Sequence, residues 1–314
     1  MSRRKPIVVV GSINLDLVAV ADRIPVIGET VFGTDFQIHP GGKGANQAVS
    51  VSRLGYPVQM IGRLGDDAFG VQLRKHLVIS GVDIAGIATS EGPSGVAVIE
   101  VSAKGENSIV VAQGANAKLT PEDIDHNLPI IREAGLVLTQ LEIPLETVEH
   151  LSSVCARQGV PLVFDPAPAR DLPARIFSKI AWFTPNETEA AFYAVNGHLE
   201  REGNPSEIAA ALLAKGCRGV VLKMGSRGLC FATRDQPPEL LPAFPVKAVD
   251  TTAAGDCFNG AFAVGLMSGK NARDSAIFAA GAAAISVTRA GAQPSMPSMA
   301  ELQSFINEYG AVES

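Results

Sequence analysis

Aromatic residues are scarce in this chain of 314 residues, at 5%, and Trp182 is the sole tryptophan. Trp182 falls in an apolar run and reads as a core residue. There are only four cysteines, Cys155, Cys217, Cys230 and Cys257, none in a C-x-x-C spacing. They read as reduced thiols, which places the protein in the cytoplasm. Cys257 reads as a small packing residue. The five histidines are scattered without metal-site spacing. His39, just before Pro40, reads as a surface or turn histidine. Long hydrophobic runs are also missing. The run Ile7–Val10 behind the basic start is too short for a signal-peptide core, and Asp16 interrupts the chain soon after it. The stretch Ala276–Ile285 is mostly alanine and too short to cross a bilayer, so no membrane partner is expected. Charged residues make up only 18%, with a formal net charge of −6. That balance lacks the basic footprint of a nucleic-acid binder. It leaves room for a small anionic ligand, which needs only a few local donors.

What the chain does have is hydrophobic content, 46%, and alternation. Its length allows one large domain, or one plus a smaller one. The β-branched runs Ile7–Val10, Val58–Ile61, Leu136–Gln140, Leu162–Phe164, Trp182–Phe183 and Val220–Met224 predict strands. Helical patterns lie between them, among them Ala45–Leu54, Leu145–Arg157 and Ile208–Lys215. Such alternation predicts βαβ units and a largely parallel sheet, with ligands beyond the carboxyl ends of its strands. Two segments break the pattern, around "GETVFGTDFQI" and "SGVAVIEVSAKGENSIVVAQ". They predict strands of a small added sheet, or else extra edge strands of the main one. No repeat, low-complexity tract or long linker divides the chain.

The stretch "HPGGKGANQAV", His39–Val49, places three glycines around a lysine. It is not a P-loop, because Gln37 stands where the first glycine belongs and Gly44 follows Lys43 in place of Ser or Thr. The spacing of Gly41, Gly42 and Gly44 also fails the dinucleotide pattern. Residues without side chains let a backbone approach a ligand, and Gly44 would open a helix whose first amides are free. Lys43 and Asn46 then offer donors and an amide acceptor to a polyhydroxylated ligand. A tight turn with a solvated lysine is the plainer reading of the same residues. Asn14 and Asp16, just after the first strand, are placed to grip hydroxyls, though both residue types also simply end strands. A second small-residue site, "VDTTAAGDCFNGAFAVGL", leads through Ala253, Ala254 and Gly255 into an apolar helix. Its N-terminus is a potential anion site, and Asp256 in the first turn is either a general base or only a helix stabiliser.

Taken together, "GGKGANQA" and "VDTTAAGDCFNGAF" in this order resemble the signatures of the ribokinase-like, or PfkB, family of carbohydrate kinases. The resemblance runs from "VVVGSINLDL" to "AISVTRAGAQPSMP". The stretches "GSINLD", "QLEIPLE", "DPAPAR", "PNETEA", "MGSRG" and "TRAGAQPS" resemble its ribose-phosphorylating members most. The fold this implies is α/β: a three-layer α/β/α sandwich with a mostly parallel central sheet and a small β-sheet lid. A single kinase domain over 1–314 is expected, with lid strands inserted at about 14–40 and 94–113 and pairing two copies into a homodimer. The implied activity is ATP-dependent phosphorylation of ribose at its 5-hydroxyl. Deoxyribose, another pentose, a hexose or a nucleoside is the alternative acceptor. A non-catalytic sugar sensor is the alternative of another class.

The resemblance also implies site residues. Asn14, Asp16, Gly42, Lys43, Gly44, Asn46 and Glu142 would hold the sugar. Asp256 would be the base, and the amides of Ala253, Ala254 and Gly255 an anion hole. Asn186, Lys223, Gly225, Ser226, Arg227, Gly228, Gly255 and Ala280 would face ATP. Glu189 would hold magnesium through water. Asp250, Thr252, Ser286, Arg289, Gly291 and Ser295 would surround an activating potassium ion, several through carbonyls. Lys223 and Ala280 depart from the family's usual neutral residue and asparagine.

Overall fold

The computed structural model describes residues 4–194 and 203–310. Strand β1 (Ile7–Val10) shows how the sequence builds the frame. All four of its side chains are fully buried. Ile7 and Val9 join one apolar core, and Val8 and Val10 join another. A strand covered on both faces must be apolar at every position, because successive side chains point to opposite faces.

The chain continues through β2 (Asn14–Ala21), β3 (Gly33–Gly41), α1 (Lys43–Arg53), β4 (Val58–Gly65), α2 (Ala68–Ile79) and β5 (Asp83–Ser90). Next come β6 (Gly95–Ser102), β7 (Asn107–Ala112), α3 (Pro121–His126), α4 (Leu128–Glu133), β8 (Leu136–Thr139), α5 (Leu145–Gln158), β9 (Leu162–Phe164) and β10 (Trp182–Phe183). The last part holds α6 (Glu187–Ala194), α7 (Pro205–Ala214), β11 (Gly219–Lys223), β12 (Leu229–Thr233), β13 (Gln236–Leu241), α8 (Ala254–Met267), α9 (Ala272–Ser286) and α10 (Met299–Gly310).

Nine strands form one sheet in the order β13-β12-β11-β10-β9-β8-β1-β4-β5. Its pairs are parallel from β11 to β5 and antiparallel only where β12 and β13 extend the edge. Helices α1, α8 and α9 bury Ala48, Phe262 and Ala279 in the first core. On the opposite face α5 and α7 bury Leu151 and Leu212 in the second. This is the expected three-layer α/β/α arrangement. The segments that broke the βαβ pattern form a smaller separate sheet, β3-β2-β6-β7, rather than extra edges of the main one. In it β2 runs parallel to β6, while β3 and β7 lie antiparallel on the outside.

Some boundaries differ from the sequence expectation for local reasons. Helix α7 begins at Pro205 rather than 208, because the Asn204 side chain caps it, accepting from Ser206 N at 3.0 Å. Strand β4 extends past Ile61 to Gly65. Its Arg63 is held between Asp123, at 2.7 Å, and Ser90, at 2.9 Å, so a polar residue continues the strand. Of the two readings of His39 the surface one holds and the turn one does not: it sits within β3, opposite Asp16, with its ring on the exposed Gln37. Trp182 is half-buried, stacked on Phe231 at 5.6 Å and edge-on to Phe262 at 5.4 Å. All four cysteines are buried and free. Among the described residues no helix is long and apolar enough to cross a membrane.

Helices α1 and α8 meet at one close crossing. A Cβ on Gly260 would come within 2.5 Å of Ser50 Oγ and 2.9 Å of the Gln47 carbonyl oxygen. Ser50 Oγ donates to the Cys257 carbonyl at 3.0 Å. The missing side chain therefore fixes how near the start of α8 comes to α1, and that nearness builds the site.

Candidate active site

The polar residues collect where parallel strands end. Ser12 follows β1, Glu142 follows β8, Asp165 follows β9 and Lys223 closes β11. Ser12 Oγ donates to Glu142 Oε2 at 2.5 Å, and the same carboxylate oxygen accepts from Lys43 N at 3.2 Å. Gly44 N reaches Ser12 Oγ at 3.4 Å. The start of α1 is thus docked onto two strand ends. Asn14 is buried, its Oδ1 accepting from Asn116 Nδ2 at 2.7 Å. Asn116 also brackets Ile13 through its N–H, at 2.9 Å, and its carbonyl, at 3.2 Å.

The glycines around Lys43 serve chain-to-chain contact first. Gly42 is the N-cap of α1 with φ +86°, where an L-residue is strained, and a Cβ there would meet Asn14 N at 2.6 Å. A Cβ on Gly44 would meet the Gly11 carbonyl carbon and Ser12 N at 2.7 Å. A Cβ on Gly41 would strike the Asp16 carboxylate at 2.1 Å. Side-chain-free positions therefore let α1 press against the turn between β1 and β2, which brings Asp16, Lys43 and Asn46 to one place.

Asp256, in the first turn of α8, is buried. Its Oδ2 accepts from Asn46 Nδ2 at 3.0 Å and its Oδ1 from Gln47 Nε2 at 3.1 Å. Gln47 Nε2 also donates to Asp165 Oδ2 at 3.0 Å, and Gln47 Oε1 accepts from Gln140 Nε2 at 2.7 Å. Burial pushes the Asp256 carboxyl up to about 6; Lys43 and the two amide donors oppose that, and Asp165 adds to it. Lys43 is itself held charged. Burial works against its ammonium, but Asp256, Glu142, Asp165 and Glu189 together raise its pKa.

Ala253, the N-cap of α8, has φ +56° and is the only non-glycine residue with positive φ among the described residues. The amides at 253–255 are not equivalent, since Ala254 N donates to the Thr251 carbonyl at 3.2 Å. Lys223 Nζ lies 3.0 Å from Asp165 Oδ1 and 3.4 Å from where a Cβ on Gly255 would be. It therefore stands at the mouth of the α8 N-terminus.

Asn186 bridges to Lys223 beside it. Asn186 and Glu189 form a reciprocal cap. Asn186 N and Nδ2 donate to the Glu189 carboxylate at 2.8 and 2.9 Å, and Glu189 N donates back to Asn186 Oδ1 at 2.8 Å. Burial raises the Glu189 pKa, Lys223 lowers it and Asp165 raises it further. The turn Gly225–Arg227 follows β11 and closes with Gly228 O accepting from Met224 N at 2.9 Å. It carries Ser226, and Arg227 pairs with Glu187. Ala280 stands apart, half-buried on α9 against the first core.

The residues expected around a monovalent ion lie on two loops tied by Asp250, apart from Ser286, which ends α9. Its Oδ1 accepts from Thr252 N at 2.9 Å and Thr252 Oγ1 at 2.6 Å, and its Oδ2 accepts from Gly291 N at 2.8 Å. Burial opposes ionisation of Asp250, yet these donors hold its pKa below the usual value. The Ser286 and Ser295 hydroxyls donate to the carbonyls of Ala283 and Ala292. The Arg289 guanidinium turns away to Glu301 at 2.6 Å. Among the described residues no group of three or more His, Cys, Asp or Glu could hold a metal ion alone.

Sequence reasoning does not single out Ser12, Gln47, Asn116, Gln140, Asp165 or Gln293. Asp165 carries a readable signal, a carboxylate directly after a predicted strand. The amides carry none, because Gln and Asn are ordinary in such positions until their partners are known.

Asp16 shows the cost of gathering these charges. Burial pushes its carboxyl up to about 7, Glu142 and Asp256 add to this, and Lys43 opposes it. An unfolded aspartate ionises near about 4. Stability from this group is therefore complete below about pH 4 and lost as pH rises through about 7. Asp16→Asn should melt about 2–4 °C above the unsubstituted protein near pH 8 and level with it near pH 4. A melting difference that ignores pH would show that ionised Asp16 carries no penalty.

Residues 4–299 match the pfkB family carbohydrate kinases. The chain is 41% identical over 302 residues to the ribokinase of Bacillus subtilis, covering 96% of this chain and 99% of that one. It is 36% identical to the deoxyribokinase of Salmonella typhi, over 96% and 98% of the two chains. The structure of Arabidopsis thaliana ribokinase complexed with ribose and ATP superposes with a TM-score of 0.89 at 34% identity, covering 96% of this chain and 99% of that one. With full-length similarity at this level, and with its strand ends and helix start gathered around Asp256, the chain belongs to the pfkB family of carbohydrate kinases.

Proposed function

We propose that this protein transfers the γ-phosphoryl group of ATP to the 5-hydroxyl of D-ribose. The observation that carries the reading is Asp256, a buried carboxylate in the first turn of a helix, accepting hydrogen bonds from Asn46 and Gln47. Its pKa of about 6 suits a base that is ionised near neutrality yet still basic enough to take a proton. The hydroxyl proton passes to Asp256, the sugar oxygen bonds to the γ-phosphorus, and the bond to the β,γ-bridging oxygen breaks to leave ADP. Asn14, Asp16, Gly42, Lys43, Gly44, Asn46 and Glu142 orient the sugar. The Gly255 amide, in the same turn as Ala254 whose N–H is taken by Thr251, and the Lys43 ammonium meet charge on the transferring group. The Lys223 ammonium beside Gly255 adds to that field and faces the nucleotide with Asn186 and the turn 225–228.

A magnesium ion would accompany the nucleotide. The donors fit an ion held mainly by phosphates and waters, with Glu189 behind a water, rather than one caged by protein alone. When bound it would offset the negative charge of the phosphates. A reducing, cytoplasmic setting accords with four buried free thiols. A 2-deoxyribose acceptor is the neighbouring reading, supported by the similarity to a deoxyribokinase.

ADP release measured across ribose, 2-deoxyribose, a hexose and a nucleoside should give the largest kcat/KM for ribose. A larger value for any other acceptor would replace ribose in this reading. Asp256→Asn should lose about 10²–10⁴-fold in kcat while calorimetry still detects ribose binding. More than a tenth of the original kcat would show that Asp256 is not the base.

A potassium ion between the two loops that Asp250 ties would order the start of α8 without touching either substrate. Carbonyls and the anionic Asp250 are oxygen donors suited to such an ion. Initial rates at equal ionic strength should be higher in potassium than in sodium or a bulky organic cation. Equal rates in all three would remove the ion from the mechanism.

The smaller sheet would pair two copies. Every residue of the edge strand β7 is exposed, and Ile109, Val110 and Val111 join Val98 and Phe36 as exposed apolar side chains. An uncovered edge with such a patch is suited to a second copy. Light scattering at micromolar concentration should give a dimer, and a monomer would refute this arrangement.

A further inference from the structure

An ionised carboxylate can only accept hydrogen bonds, and this fixes the direction of a chain that ends on Asp256. Asn46 must present its NH₂ to Asp256, and its Nδ2 lies 3.0 Å from Oδ2. The Asn46 oxygen must then face a donor. It faces Gln293 Nε2 at 3.0 Å. The Gln293 oxygen must in turn face a donor, and it meets His76 Nε2 at 2.7 Å, so that nitrogen carries the proton, with Ser80 Oγ further off at 3.3 Å. Asn46 and Gln293 are almost fully buried, at 6% and 3% exposed, so water cannot readily substitute for either link. Reversing any one amide would set two oxygens face to face at hydrogen-bond distance. Three elements take part: α2 through His76, the loop after α9 through Gln293, and α1 through Asn46.

We infer that Gln293 is a positioning residue for phosphoryl transfer: it locks the Asn46 amide in the one orientation that donates to Asp256. This rests on the reading of Asp256 as the base. Gln293 makes its effect through Asn46, whose oxygen it occupies and whose NH₂ it thereby leaves for the carboxylate. The charged groups that act on Asp256 from its other sides are Lys43 on α1, Asp165 after β9 with its partner Lys223 on β11, and Asp16 on β2. Gln293 hydrogen-bonds to none of them.

Two variants separate charge from orientation. Gln293→Glu keeps the shape but, once ionised beside His76, offers only acceptors, so Asn46 has a carboxylate on both sides and its NH₂ can no longer be reserved for Asp256. The acid limb of kcat/KM should then move up by about one pH unit. Gln293→Met removes the donor without adding charge and should lower kcat by about 3–10-fold, with KM for ATP changed less than about twofold. In an Asn46→Ala background Gln293→Met should cost less than about twofold, because the two residues act as one unit. The inference is overturned if both variants melt like the unsubstituted protein and keep its kcat and acid limb. It is also overturned if Gln293→Met costs as much in the Asn46→Ala background as alone. Should Gln293→Glu fail to fold, Gln293→Met and the double variant decide. An Asp256→Asn protein that keeps its rate would defeat the base reading itself; one that loses its rate while the Gln293 variants stay silent would defeat this inference alone.

Discussion

Burying the Asp256 carboxylate sets the terms for the rest of the structure. A buried charge is costly unless donors reach it in good geometry. Here the donors are two consecutive amides of α1, Asn46 and Gln47, one for each oxygen. Consecutive helical residues splay by about 100°, so both reach one carboxylate only if α1 passes close to the first turn of α8. Gly260 against Ser50 permits that approach. Gly44 against Gly11 and Ser12 lets the same helix sit down on the β1 end. The glycines of two separate motifs thus answer to one electrostatic demand.

Burial displaces the titration of Asp256 upward, and the charges around it act in both directions, Lys43 against that shift and Asp165 with it. Asp16, Glu142, Asp165 and Glu189 share the site with Lys43 and Lys223. Burial holds Asp16 and Asp256 above ordinary aspartate; neighbouring carboxylates add to this, Glu142 and Asp256 at Asp16 and Asp165 at Asp256, while Lys43 opposes it at both. The same crowding keeps Lys43 protonated. A cluster of this sign would repel bare triphosphate. A nucleotide whose charge is partly neutralised by a divalent ion is the form such a site can admit.

The sequence is informative where one residue's type decides its role. The apolar strands β1, β8, β9 and β10 are legible because both faces are covered, and Lys43, Asn46 and Asp256 because motif spacing marks them. Gln47, Gln140 and Gln293 are not legible. Their function lies in pairings across 93 residues for Gln140 and 247 for Gln293, which no local pattern encodes. The purpose of Gly41, Gly42 and Gly44 is half hidden for the same reason. Their missing side chains signal a close approach, but the nearest neighbours are Asp16, Asn14 and the Gly11–Ser12 backbone rather than a ligand. Helix α7 starts earlier than its apolar pattern because a cap, not a core contact, fixes that end.

The start of α8 carries one more constraint. Ala253 holds a left-handed backbone that an alanine adopts only against a cost of about 1–2 kcal/mol. Such a conformation persists when its surroundings over-determine it. Ala254 N is bound to the Thr251 carbonyl, and Cys257 N to that of Ala253. One residue further out, Asp250 clasps Thr252 on its own loop and Gly291 on the next, while Asp250 N and Val249 N both reach the Val287 carbonyl. The direction of the first amides of α8 is thus fixed by two loops that lie outside the Asp16–Lys43–Asp256 cluster. Anything that tightens or loosens the Asp250 clasp acts on the helix start before it acts on a bound ligand. The second of those loops also carries Gln293, so one segment braces both the backbone strain at Ala253 and, through Asn46, the side chain of Asp256.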